Sequence, residues 1–160
     1  MLPMQAKQTY QAVLLAPFGV LGIRCEDEVL TGINFLAANT RPQAPQSQFA
    51  AGVCRQLEAY FDNPDFNFTL THRLSGTSHQ SKVWQAMCAI PRGQTRQYGE
   101  LANQLASSAR AVGQACGSNP IPIVIPCHRV VSKVGMGGFA HQRDGYELGI
   151  KRWLLDHEQR

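Results

Sequence analysis

Cys127, His128 and Arg129 stand side by side near the end of the run I-P-I-V-I-P-C-H-R-V at residues 121–130. A cysteine attacks as its thiolate, and a neighbouring imidazole or cation takes its proton or lowers its pKa. The tripeptide therefore holds a nucleophile with candidates for both helpers directly behind it. Val and Ile favour extended, buried backbone, while Pro120, Pro122 and Pro126 lack an N–H and push the residue before each of them towards extended geometry. The segment reads as a stiff rail that ends in a sulfur. The competing reading is a core cysteine followed by two polar surface residues, which a C-H-R tripeptide taken alone would favour.

The elements that must position this thiol lie on both sides of it. Residues 10–15, 20–25 and 29–36 are apolar, strand-length segments separated by Pro17-Phe18-Gly19 and Glu26-Asp27-Glu28, the pattern of an antiparallel meander. Residues 39–48, rich in Pro and Gln, read as a loop. With Ser47 as N-cap, Phe49, Val53, Leu57, Tyr60 and Phe61 recur at helical spacing until Asn63-Pro64 ends them. This first unit contains no catalytic constellation, and its expected role is support. Residues 74–78 read as a linker. Beyond it, Val83, Trp84, Met87, Cys88 and Ile90 line one face of a predicted helix closed by Pro91-Arg92-Gly93. With Thr95 as N-cap, residues 98–105 and 109–117 form two short helices across the Ser107-Ser108 turn, the outline of a helix-turn-helix. The rail, a glycine-rich loop at 135–138 and a final amphipathic helix from about Gly149 to His157 complete the chain.

Charge is unevenly spread over the 160 residues. Residues 1–76 carry five Lys/Arg against six Asp/Glu, and residues 77–160 carry ten against five. A basic C-terminal half suits a polyanionic partner, because neutralising phosphates releases counterions. Five cysteines without regular spacing argue against a disulfide framework and for a reducing, cytoplasmic setting. The N-terminus lacks the basic and apolar regions of a secretion signal, and no apolar run approaches the roughly 20 residues that span a bilayer. Cys25, Cys54, His72 and His79 lack the paired spacing of a zinc site, so no metal is expected.

Four motifs in order turn these observations into a resemblance: A-R-A-V-G at 109–113, Asn119-Pro120, P-C-H-R-V at 126–130 and W-L-L-D-H-E at 153–158. Together they resemble the O6-alkylguanine-DNA alkyltransferases, also called methylated-DNA–protein-cysteine methyltransferases, strongly over residues 77–158 and weakly before. The resemblance implies an α/β fold. Residues 1–74 would form a small, ribonuclease-H-like antiparallel sheet with a helix, and residues 75–160 a mainly helical domain with a helix-turn-helix. It further implies a monomer that acts on double-stranded DNA containing O6-alkylguanine, with O4-alkylthymine as a second candidate. Transfer to Cys127 would be irreversible, once per molecule, and would need no cofactor.

The resemblance also assigns roles. A water links Cys127 to His128, and Glu158 orients that imidazole in the manner of a triad. Asn119 hydrogen-bonds around the turn before the active-site segment. The Tyr98 hydroxyl serves guanine N3, and the backbone carbonyls of Cys127 and Val130 bind the exocyclic amine. Arg110 fills the gap left by an extruded nucleotide, while the small Ala109, Ala111 and Gly113 let the second helix approach the minor groove. Cys116, Val130, Phe139 and Ala140 wall the alkyl pocket, with Cys116 as packing rather than a second nucleophile. Three departures from the family pattern stand out. The connection from Tyr98 to Arg110 is two residues shorter than in many relatives. Phe139 and Ala140 stand where tyrosine and serine are common. Residues 141–148, H-Q-R-D-G-Y-E-L, are read as an extended pocket rim. Rival readings are a lesion-binding module, which would lack the acceptor cysteine, a cysteine hydrolase using Cys127, His128 and Glu158, and a methylation-switched transcription factor, which would need a further domain.

Overall fold

Three strands open the chain because their apolar residues fall opposite one another. In the computed structural model, which describes residues 9–138 and 145–160, β1 (Ala12–Ala16), β2 (Gly19–Glu26) and β3 (Val29–Leu36) form an antiparallel sheet in the order β1-β2-β3. Pairing sets Ala12 against Ile23 and Ile23 against Ile33, with Leu21 between Leu14 and Phe35. These cross-strand pairs make the face that packs on the core. Helix α1 (Gln48–Asp62) covers it with Ala50, Val53, Cys54, Leu57, Tyr60 and Phe61, one stripe at spacings of three and four. The Ser47 hydroxyl accepts from Ala50 N–H at 3.0 Å, and the helix ends before Pro64.

Helix α2 (Ser78–Cys88) starts in a reciprocal cap between Thr77 and Gln80 and buries Val83, Trp84 and Met87. Trp84 Nε1 donates to the Ala115 carbonyl at 2.8 Å, which ties α2 to the helix α4 (Ala109–Gly117). Cys88, expected on the buried face, is exposed, because α2 ends there and the chain turns to return Ile90 to the core. A second correction concerns the start of helix α3 (Tyr98–Gln104). Thr95 is not its N-cap. Arg96–Gln97 form a short strand β4, paired in parallel with β5 (Val130–Val131), so the helix begins one residue later than that pairing, and Gln97 N–H donates to Glu100 Oε1 at 3.0 Å. This pairing sets Tyr98 beside the exit from the segment that carries Cys127. Helices α3 and α4 pack together across a turn in which Ala106 adopts φ +52°, and the Ser108 hydroxyl caps α4 by accepting from Ala111 N–H at 3.1 Å.

The segment before Cys127 is not an extended rail. Ile123 has φ +76°, Ile125 N–H reaches back to the Ile121 carbonyl at 2.9 Å, and Cys127–Arg129 form a 3-10 turn. The prolines restrict only their own φ and their predecessors, which leaves Ile123 free to reverse the chain. The Asn119 side chain then closes the loop: its Nδ2 donates to the Ile125 carbonyl at 2.8 Å, and its Oδ1 accepts from Ile121 N–H at 3.0 Å. The last helix, α5 (Tyr146–Glu158), starts three residues before the expected Gly149, so residues 146–148 of the predicted rim are its first turn. Gly145, at φ +83°, leads into it, and the Tyr146 hydroxyl accepts from Val20 N–H at 3.0 Å, pinning the helix start to β2. Phe139, Ala140 and the remainder of that rim, residues 141–144, lie outside the described residues. One continuous apolar cluster runs from Leu21 and Leu57 through Trp84 and Val112 to Ile125 and Leu154, so sheet and helices share a core.

Candidate active site

Cys127 lies at the first residue of the 3-10 turn, 5% exposed, at the edge of a cleft of about 220 Å³. Cys116, Asn119 and Pro122 line the cleft with it, as do Ile33 and Phe35 of β3. The N-terminal sheet thus borders the cleft that Cys127 lines. Burial pushes the Cys127 thiol up to about 11, against smaller downward pulls from the Asn119 hydrogen bond and the Lys151 cation. Burial likewise pushes Cys116 up to about 12, and its Sγ lies 3.5 Å from Met87 Sδ. At neutral pH both thiols carry their protons.

His128 and Glu158 meet behind the cysteine. His128 is fully buried, and its Nε2 lies 3.0 Å from Glu158 Oε2. Both ring nitrogens are buried, and neither makes a hydrogen bond of good angular geometry to a protein partner among the described residues. Burial depresses the imidazole pKa below its usual value, and the Glu158 contact opposes that depression. Glu158, 2% exposed, would be raised by burial, but contacts from His128, Arg129 and Tyr60 prevail and hold it far below the usual carboxylate range. It is therefore ionised throughout the physiological range.

Arg129 does not face the thiol. Its Nε and Nη2 donate to Glu158 Oε1 and Oε2 at 3.0 and 2.9 Å, and its Nη1 donates to the Ile90 carbonyl at 2.7 Å. The 3-10 turn explains this, since residues 127 and 129 leave a three-residue turn in different directions. The cation that acts on the thiol is Lys151, which the sequence reading missed. Lys151 is fully buried on α5, and its Nζ donates to the carbonyls of Val130, Met136 and Gly138 at 2.7, 2.6 and 2.8 Å. Burial lowers its pKa to about 8, opposed by the Cys127 and Cys116 sulfurs. A signal for it was present: the buried stripe of α5 is Ile150, Lys151, Leu154, His157 and Glu158, and a lysine on a buried stripe needs acceptors.

The remaining candidates fall into two groups. Tyr98 is half-buried at the start of α3, 3.4 Å by its hydroxyl from the Gly138 carbonyl, with Lys151 Nζ 5.8 Å from its ring centre. Gly137, at φ +75°, packs so closely on this ring that a Cβ there would meet it at 2.7 Å. Val130 is buried, and its carbonyl already accepts from Lys151, as the Cys127 carbonyl does from Val130 N–H. Each would offer an incoming amine its second lone pair. Ala109 and Arg110 are exposed at the start of α4, and Ala111 and Gly113 are half-buried. No cluster of three or more His, Cys, Asp or Glu able to hold a metal occurs among the described residues, and no described helix is long and apolar enough to cross a membrane.

The sequence profile described as 6-O-methylguanine DNA methyltransferase, DNA binding domain, matches residues 78–160. A methylated-DNA–protein-cysteine methyltransferase of Mycobacterium tuberculosis is 39% identical over 152 residues, covering 90% of this chain and 88% of its own. One from Methanosarcina acetivorans is 36% identical over 157 residues, covering 93% and 97%. Among solved structures, Mycobacterium tuberculosis OGT in complex with DNA matches with a TM-score of 0.78 at 37% identity, over 92% of this chain and 91% of that one. The O6-methylguanine-DNA methyltransferase of Pyrococcus kodakaraensis strain KOD1 matches with a TM-score of 0.65 at 26% identity, over 92% and 97%.

Proposed function

The chain belongs to the methylated-DNA–protein-cysteine methyltransferase family, and from that premise we infer how its residues divide the work. It binds DNA and repairs O6-alkylguanine by moving the alkyl group onto one of its own cysteines. The observation that carries the residue assignment is the buried Cys127 at the cleft with His128 next to it, held 3.0 Å from an ionised Glu158.

Cys127 is the nucleophile and acceptor. Because burial keeps its resting thiol protonated, the proton must leave as attack begins. His128 takes it through Nδ1, the ring nitrogen not engaged by Glu158, with a water as the link in the family scheme. Glu158 is a positioning residue that stabilises the imidazolium. The S–C bond forms as the C–O6 bond breaks, and the purine leaves neutral once it has received a proton, assisted at N3 by the Tyr98 hydroxyl. The thiol proton is thus balanced by the proton on the released guanine. The thioether is too stable to reverse, so each molecule reacts once, and no cofactor is required. Asn119 keeps the preceding loop closed, and Cys116 supplies pocket wall, as Phe139 and Ala140 do in the family pattern.

For DNA, helices α3 and α4 act as a helix-turn-helix whose second helix enters the minor groove. Ala109, Ala111 and Gly113 permit close approach, and Arg110 fills the stack left by the flipped nucleotide. Residues 1–74 form a ribonuclease-H-like unit and residues 75–160 the DNA-binding and acceptor unit, joined through one core. The protein works as a cytoplasmic monomer, with O4-alkylthymine as a second substrate.

The test is a duplex carrying one O6-methylguanine, followed by peptide mass analysis. One methyl group per molecule on Cys127 is expected, and Cys127→Ser should abolish transfer while sparing DNA binding. Modification on Cys116, or more than one turnover as a cysteine hydrolase would give, overturns the assignment.

A further inference from the structure

The carboxylate of Glu158 is held from outside the segment that carries the family motifs. Tyr60, on α1 and 2% exposed, donates its hydroxyl to Glu158 Oε2 at 2.7 Å. That oxygen is the one that faces His128 Nε2 at 3.0 Å and accepts from Arg129 Nη2 at 2.9 Å. We propose that Tyr60 is a positioning residue for alkyl transfer, whose hydroxyl fixes Glu158 Oε2 against His128 and shares that oxygen's charge. The N-terminal unit thereby sets the basicity of the group that deprotonates Cys127. This rests on the alkyl-transfer reading given above.

The surroundings of Tyr60 are built for the purpose. His157, next to Glu158 on α5, reaches the Tyr60 carbonyl with Nε2 at 2.6 Å, and a carbonyl can only accept, so this nitrogen carries the proton. The His157 ring stacks on Trp153 and meets Tyr60 edge-on. Consecutive residues of α5 therefore grip the Tyr60 backbone and its hydroxyl. Arg92 extends the same connection: it donates to the Glu158 carbonyl at 2.9 Å and pairs with Asp65 just beyond α1. Burial, then the Glu158 charge, raise the Tyr60 pKa, so the phenol stays protonated and donates to the carboxylate.

The sign of the effect follows from the groups that face one another here. Glu158 Oε2 receives Tyr60 from α1 and His128 and Arg129 from the 3-10 turn, while Arg92 takes the backbone carbonyl. His128 also feels Lys151 from α5, and Cys88 at the end of α2 feels Arg129. Every donor on Oε2 withdraws charge from the side that stabilises imidazolium. Removing the phenol hydroxyl leaves more of that charge to His128, and its pKa rises.

Tyr60→Phe removes one oxygen and keeps the ring. Its effect is read by NMR titration of the His128 imidazole and by the pH dependence of inactivation by free O6-benzylguanine. The His128 acid dissociation constant should fall roughly three- to tenfold, about half to one pKa unit, and the acid limb of the rate profile should move up with it. Replacing Tyr60 by 3-fluorotyrosine, whose more acidic hydroxyl donates more strongly, should move both the other way while the fold is retained. Titrations that coincide with the parent in both proteins, or that move in the same direction, would overturn the proposal and leave Tyr60 as packing alone. If the Phe variant does not fold, the fluorotyrosine protein decides by itself. Because the titration needs no transfer, a parent that accepts no alkyl group would refute the alkyl-transfer reading without obscuring this result.

Discussion

Glu158→Gln keeps the shape of the side chain and removes the charge on which three neighbours converge. In the parent, Arg129 makes two hydrogen bonds to the carboxylate at 3.0 and 2.9 Å, Tyr60 makes one at 2.7 Å, and His128 lies at 3.0 Å. An amide has one acceptor oxygen, so at least one of these donors would face an NH2 group. Breaking a buried ion pair from one side costs about 3–5 kcal/mol. Arg129 is 15% exposed at its side chain and can recover some hydration, which favours the lower end. At a few degrees per kcal/mol for a chain of this size, the melting temperature should fall by roughly 6–12 °C at pH 7. The pH dependence carries the sharper test. The folded-state pKa of Glu158 is depressed, so its contribution is complete above the unfolded carboxyl value and is lost as pH falls towards the folded one. The stability gap between parent and variant should therefore be flat above about pH 5.5 and narrower by about 1.5–2 kcal/mol at pH 3. Kinetically, loss of the carboxylate should slow inactivation by roughly a hundredfold or more. It should also move the acid limb to lower pH, because Glu158 is what opposes the burial-driven depression of His128. Urea denaturation across pH and stopped-flow inactivation measure both. A gap that does not narrow on acidification, or a slow variant whose acid limb stays in place, would refute the relay.

Arg110→Ala should slow repair of O6-methylguanine in duplex DNA far more than inactivation by free O6-benzylguanine, since only the former leaves a gap in a base stack; equal losses on the two would remove the flipping role. Affinity of the parent for undamaged duplex should fall linearly in log–log form with added salt, and a flat dependence would deny phosphate contacts. Lys151→Met leaves the carbonyls of Val130, Met136 and Gly138 without their donor and should cost about 3 kcal/mol or more. Because burial lowers the Lys151 pKa to about 8, the parent should gain stability relative to that variant as pH rises from about 8 towards the unfolded value near 10.4; a difference that stays flat across that window would mean that the folded amine is not depressed. Asn119→Ala unties Ile121 N–H and the Ile125 carbonyl, and slower transfer with DNA affinity unchanged is the expected result.

What could be read in advance was whatever depends on periodicity or on local capping. The meander, α1 from the Ser47 cap to Asn63, and the pair α3 and α4 across a serine turn follow from spacing that each segment carries within itself. The errors share another cause. The run before Cys127 was expected to be straight because proline acts on its own φ and on its predecessor, whereas Asn119 folds it through bonds to residues two and six positions away. Thr95 was expected to cap α3 because nothing nearby reveals that residues 96–97 pair with 130–131. Long-range pairing overrides local preference at Thr95, and a side chain just outside the run does so before Cys127.

The same distinction separates the parts of the site. Cys127, His128 and Glu158 stood out through their motifs, but the groups that set their ionisation come from elsewhere in the chain. Lys151 lies 24 positions beyond the thiol it influences, and Tyr60 reaches Glu158 across 98 residues. Each left only an indirect mark, a lysine on a buried stripe and a tyrosine on the covered face of α1. A buried polar atom requires a partner, yet sequence alone does not name it. An active site whose nucleophile is buried must obtain its charge balance from whatever elements close over it. In this chain those elements are α5 and, through Tyr60, the N-terminal helix, so the unit without motifs of its own takes part in tuning the chemistry of the unit that has them.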